Sequence, residues 1–109
     1  LYLFRWTPPM VGAWTGAFHG LEIPFVFGTV RDGIARYLTA FDRSAIELSD
    51  VVLQSWAAFA RNGLPLHAHL SEWPAYRPGE RAALVFDAQV RVETELFAER
   101  RPFWDALAA

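Results

Sequence analysis

The sequence predicts an α/β fold, and more narrowly a piece of one. Three observations carry this. The opening hexapeptide Leu1–Trp6 (LYLFRW) is short, apolar and aromatic, as a buried strand is. The stretch Ala45–Arg61 repeats apolar residues at helical steps. Two short stretches, Leu84–Phe86 and Val90–Val92, read as strands around Asp87 and Ala88. Strand, long loop, helix, strand pair and helix, in that order, suit part of an α/β protein. At 109 residues the chain has room for one domain. Its hydrophobic share of 53% exceeds the roughly 45–50% usual for globular chains. A chain of this size buries only roughly 60–70% of its unfolded surface. We therefore expect residues 1–109 to be a single partial domain whose surplus apolar surface belongs to a larger core. Leu1, rather than Met, opens the chain inside a strand-like run, which reads as a cut.

The elements follow in order. Pro8 and Pro9 end the first strand, because proline lacks the N–H a ladder needs. Gly12–Gly20 reads as a loop, with Gly12, Gly16 and Gly20 around Trp14, Phe18 and His19. Ile23–Phe27 alternates as a strand does, yet Pro24 equally suits the first turn of a short helix ended by Gly28, and both readings stay open. Arg31–Phe41 can form a short helix with Ile34, Tyr37, Leu38 and Phe41 on one face. In Ala45–Arg61, Ser44 and Glu47 have capping-box spacing, and Leu48, Val52, Trp56 and Phe59 line one side. Asn62, Gly63 and Pro65 stop this helix. Leu64–Ala82 is a long connection rich in proline. Leu96–Leu107 reads as a helix interrupted or restarted at Pro102.

Several function classes fall away. No apolar run approaches the roughly 18–20 residues of a membrane span. Without cysteine there is no disulfide framework, thiolate metal site or cysteine nucleophile. That absence fits a reducing compartment and points to the cytoplasm, with secretion left open. A net charge of −2 argues against nucleic acid as a partner. All 10 basic residues are Arg, which removes a Walker or Schiff-base lysine.

The candidates for chemistry are few. Ser44, Ser49, Ser55 and Ser71 lie outside any G-x-S-x-G elbow. Ser44 reads as a helix cap, and Ser49 and Ser55 as helix-surface residues. No G-x-x-x-x-G-K-[ST], H-E-x-x-H or G-x-G-x-x-G occurs, so nucleotide binding and zinc-protease chemistry have no support. His67 and His69 read as a solvated pair. A metal would need further converging ligands, and we expect no metal and no cofactor. His19 lies in a glycine-rich loop after a strand, where catalytic groups concentrate, though a satisfied structural histidine fits the same place. Glu22 could orient its imidazole, cap local backbone or face solvent. Trp6, Trp14, Phe18, Phe25 and Phe27 could line a pocket or fill a core.

Gly16–Gly28, GAFHGLEIPFVFG, resembles the catalytic-histidine segment of the type-B carboxylesterases, which include the para-nitrobenzyl esterases and the cholinesterases. Tyr2–Trp6 resembles the strand before it. Leu48–Pro65, LSDVVLQSWAAFARNGLP, resembles the helix after it, with matching positions at Trp56, Phe59, Ala60, Gly63 and Pro65. Trp73, Pro74 and Tyr76 resemble a W-P-x-Y turn, and Phe103 and Trp104 the Phe-Trp of the last helix. The likeness runs from about Tyr2 to Trp104. It implies the C-terminal part of an α/β-hydrolase, a serine esterase whose triad runs Ser, Glu/Asp, His along the chain. His19 then matches the triad base, while Glu22 and Gly20 match the residues that organise it. Trp14 and Phe18 fall where aromatic pocket walls stand.

The departures are also informative. The serine elbow, the oxyanion-hole glycines and the triad acid do not occur in this chain. The family's G-[DN]-P-N turn reads GLPL. The cysteine that eukaryotic relatives carry near the final Phe-Trp is replaced, with Arg101 in that region, which favours a bacterial relative without that disulfide. The resemblance implies a small-molecule carboxylic ester as substrate and the remainder of an esterase chain as partner. It also implies that the isolated chain is inactive. An unpaired strand edge at Leu1–Trp6 and a bare Val52/Trp56 face lead us to expect self-association. A non-catalytic scaffold or adhesion protein of the same fold is one alternative, and a small independent partner-binding domain is another.

Overall fold

The structure, a computed structural model, describes residues Leu1–Ala108. Three strands form one sheet in the order β1 (Tyr2–Phe4), β2 (Ala83–Phe86), β3 (Arg91–Glu93). β1 pairs with β2 in parallel, Tyr2 opposite Leu84 and Phe4 opposite Phe86. A parallel pair needs a crossover, and the whole stretch between Phe4 and Ala83 supplies it. β2 and β3 form an antiparallel hairpin with Val85 opposite Arg91. β2 is buried at every position, which explains why its sequence, ALVF, shows no polar alternation.

The crossover carries four helices: α1 (Gly12–Thr15), α2 (Ile23–Val26), α3 (Ala35–Thr39) and α4 (Arg43–Asn62). The Ile23–Phe27 question resolves to a helix, with Pro24 in its first turn. There the missing N–H goes unused, because the first amides of a helix have no partner anyway. The core lies between α4 and the sheet, where Ala45, Leu48 and Val52 meet Leu84 and Phe86 around Phe25 and Trp6. The Phe25 ring sits 5.0 Å from Phe4 and 5.1 Å from Trp6, centroid to centroid.

Three expectations about α4 need correction. Its N-cap is Asp42, whose side chain accepts from the Ser44 amide at 2.6 Å. Ser44 is already inside the helix, and its hydroxyl accepts from the Trp6 indole at 3.2 Å. Glu47 pairs with Arg43 instead of closing a capping box. The buried stripe is also rotated. Leu48 and Val52 point inward as expected, but their neighbours there are Ala45, Ser49, Ser55 and Ala58, while Trp56 and Phe59 face out. Small side chains let neighbouring backbone approach, and a helix apolar on several sides does not announce which side that is. Ser49 and Ser55 are accordingly buried, not on the surface. The C-terminal stop holds: Gly63 takes a left-handed φ of +73° and its amide bonds the Phe59 carbonyl.

α3 is shorter than the expected helix and turned around. Ala35 and Thr39 are buried, and the Thr39 hydroxyl donates to the Val30 carbonyl at 3.2 Å. Ile34, Tyr37 and Phe41 are exposed, and Phe41 lies past the helix end in a left-handed conformation. At the other end of the chain, a single 3-10 turn (Ala98–Arg100) leads into α5 (Arg101–Ala108), with Pro102 in the first turn. No described residue of α5 is buried, and Phe103, Trp104 and Leu107 face solvent.

Candidate functional site: the His19 turn

His19 stands at the second position of a tight turn. The Leu21 amide donates to the Phe18 carbonyl at 3.2 Å, closing Phe18–Leu21. The third residue, Gly20, has a φ of +81°. Such a turn needs a positive φ there, which glycine supplies without strain. Both ends of the turn are anchored, because Leu21 is buried and Phe18 packs against the core. The next link is α2 itself, whose first amide, on Ile23, donates to the Gly20 carbonyl at 3.2 Å. The backbone of the turn is therefore fixed, while the His19 side chain it presents is exposed. Among the described residues the imidazole has no hydrogen-bond or ion-pair partner, and Glu22 is not in contact with it by either measure.

Glu22 is half-buried at the N-terminal edge of α2, without a side-chain cap bond. Its carboxylate lies toward β1. Burial first, and then the Glu22 charge, push the Tyr2 hydroxyl above its ordinary range, against a hydrogen bond involving Trp56. Of the aromatic residues near the turn, Trp6 and Phe25 are core, while Phe27 and Trp14 face outward, Trp14 at 91% exposure. Phe18 is half-buried against the core.

A second serine and histidine meet elsewhere, which sequence spacing did not reveal. His67 is not solvated as expected. Its Nε2 lies 3.1 Å from Ser55 Oγ, and its Nδ1 accepts from the His69 amide at 3.3 Å. An accepting Nδ1 leaves the proton of the neutral ring on Nε2, so the imidazole donates toward Ser55. Ser55 in turn donates to the Val51 carbonyl at 2.8 Å. That is the reverse of nucleophile activation, in which Nε2 must accept the hydroxyl proton. Ser55 is also only 1% exposed. Burial, aided by His69, holds His67 below its ordinary pKa, against the pull of the Val51 carbonyl. The pair fastens the Leu64–Ala82 connection to α4. His69 is exposed beside it. Among the described residues no three His, Cys, Asp or Glu side chains gather as a metal would require, and no helix is long and apolar enough to cross a membrane.

A model of the carboxylesterase family matches residues 1–104. The chain belongs to the carboxylesterase family. It is 34% identical over 102 residues to the para-nitrobenzyl esterase of Bacillus subtilis, covering 93% of this chain and 20% of that protein. It superimposes on a thermophilic para-nitrobenzyl esterase with a TM-score of 0.78 at 33% identity, again over 93% of this chain and 20% of the other. A Geobacillus stearothermophilus carboxylesterase gives a TM-score of 0.76 at 34% identity, covering 94% and 21%. The chain thus spans about a fifth of the length of these relatives. The likeness to solved esterases makes the sheet and α4 part of an α/β-hydrolase fold. The outward-facing Trp56 and Phe59 leave a bare apolar face on α4. Val52, in contrast, is fully covered by the chain's own core and does not belong to that bare face.

Proposed function

We propose that this chain supplies the general base of a serine carboxylesterase, and that the base is His19. One observation carries the reading. The chain fixes the backbone around His19 through a closed turn, a buried Leu21 and α2, yet leaves the imidazole itself without a partner. That combination suits a base whose partners come from other groups. In the complete polypeptide a carboxylate on another segment holds the imidazole tautomer, and His19 removes the proton from a serine hydroxyl as it attacks the ester carbonyl. The same imidazole then returns the proton to the leaving alcohol, and a water-derived proton follows the same route when the acyl-serine hydrolyses. Gly20 sets the turn and Glu22 organises its flank, while Trp14 and Phe18 stand at the wall of an apolar site for a small carboxylic ester. The reaction calls for no metal and no organic cofactor.

Family membership over residues 1–104 supports this reading. Alone, the chain is expected to be inactive and to self-associate through β1 and the Trp56 face. In the complete polypeptide, His19→Ala should lower kcat for p-nitrophenyl acetate about 10⁴-fold or more, with an unchanged circular-dichroism spectrum. Hydrolysis at the wild-type rate in that variant would overturn the assignment of the base, and a wild-type polypeptide without esterase activity would favour a non-catalytic member of the family.

A further inference from the structure

We propose that Ser49 is a positioning residue for His19, acting from α4 through the backbone of α2; this rests on His19 being the base. Ser49 is 3% exposed, and its hydroxyl donates to the Phe25 carbonyl at 3.1 Å, across 24 residues of sequence. A buried serine in a helix ordinarily bonds the carbonyl four residues back in its own helix, as Ser55 does on this same α4. Ser49 instead reaches out to a second helix. The helix it reaches is only four residues long, too short to persist by its own hydrogen bonds.

From the bonded carbonyl a continuous path runs to the turn. The Phe25 and Val26 amides both bond the Glu22 carbonyl at 3.0 Å, the Ile23 amide bonds Gly20, and the Leu21 amide bonds Phe18. One helical turn further along α4 is a second anchor. Leu53 Cδ1 stands 2.8 Å from where a Cβ on Gly28 would lie, and Gly28 has a φ of +68°. Ser49 and Leu53, four residues apart on one face of α4, therefore meet α2 at Phe25 and the residue just past its C-terminal end, Gly28. The Phe25 ring, buried between Phe4 and Trp6, sets its depth. Loosening the Ser49 bond leaves the core in place but frees α2 to shift along α4, and the imidazole moves with it. A misplacement of about 1 Å at a reacting group costs about 10²-fold in rate.

The test uses the complete polypeptide and p-nitrophenyl acetate. Ser49→Ala should lower kcat about 10- to 100-fold with KM changed less than about twofold, the split expected when orientation rather than binding is lost. Ser49→Cys, whose thiol is a weaker donor, should fall between wild type and Ser49→Ala. Gly28→Ala, which disturbs the second anchor, should reproduce the kcat loss. Ser55→Ala removes an equally buried hydroxyl from the same helix and should leave kcat within about twofold. His19→Ala is measured in parallel. If it retains activity, the base assignment fails. If His19→Ala is inactive while Ser49→Ala keeps wild-type kcat, or if Ser55→Ala loses as much kcat as Ser49→Ala, the positioning role alone is overturned.

Discussion

The two histidine-bearing loops of this chain are built in opposite ways. His67 sits in a long connection with little regular structure, yet both ring nitrogens are engaged, by the His69 amide and by Ser55. His19 sits in a closed turn with both ends anchored on the core, yet its ring is exposed and, among the described residues, without a hydrogen-bond or ion-pair partner. In the first case the side chain stabilises the backbone. In the second the backbone displays the side chain. A histidine that a fold satisfies internally has its tautomer fixed and its proton committed. A histidine that a fold holds rigidly but does not satisfy is available for chemistry. The same contrast separates Ser55, turned back on its own helix, from Ser49, turned toward the His19 side.

Removing the support under His19 should have the largest effect. Phe25→Ala empties the space between Phe4 and Trp6 and should cost about 3–5 kcal/mol of stability. It should also disorder α2, seen as faster amide exchange at Ile23 and Leu21. If those amides stay protected, the turn is held by something other than this packing. His67→Ala should act on the other loop only. It removes the donor that faces the Ser55 oxygen and the acceptor of the His69 amide, while Ser55 keeps its bond to the Val51 carbonyl, and should cost about 1–2 kcal/mol in chemical denaturation, with the activity of the complete polypeptide unchanged.

The pH dependence sharpens the same point. His67 is held below its ordinary value of 6.5 in the fold, so the folded chain resists protonation that the unfolded chain accepts. Its contribution is fully present above about pH 6.5 and is lost as pH falls below it. Wild type should therefore lose stability more steeply on acidification than His67→Ala, and parallel curves would contradict the bonded, neutral ring. A comparable effect is expected at Gly20. Gly20→Ala forces a φ of +81° on an alanine and should cost about 1–2 kcal/mol. A variant as stable as wild type would mean that the turn tolerates another geometry.

The sequence made some of this legible and hid the rest for identifiable reasons. The three strands, α4 and its Gly63 stop follow from apolar patterning and one glycine, and the structure carries them within a residue or two. The His19 segment was legible as a loop of glycines after a strand, and its likeness to a known family gave it a role. The face of α4 was harder. Leu48, Val52, Trp56 and Phe59 share helical spacing, but Ala45, Ser49 and Ser55 were turned inward by the approach of α2 and the Leu64–Ala82 connection, contacts distant in sequence. Asp42 won the cap from Ser44 because the Trp6 indole, far away along the chain, occupied the serine hydroxyl. The Ser55–His67 contact was invisible for the same reason, since nothing in a twelve-residue separation across a loop declares that two side chains meet.

We propose that His19 alone of the two loop histidines serves the ester chemistry. The most direct test is the burst of p-nitrophenol released on acylation of the complete polypeptide, measured for His19→Gln and His67→Gln side by side. His19→Gln should lose the burst and His67→Gln should keep its full amplitude. A full burst in His19→Gln, or its loss in a folded His67→Gln, would contradict it.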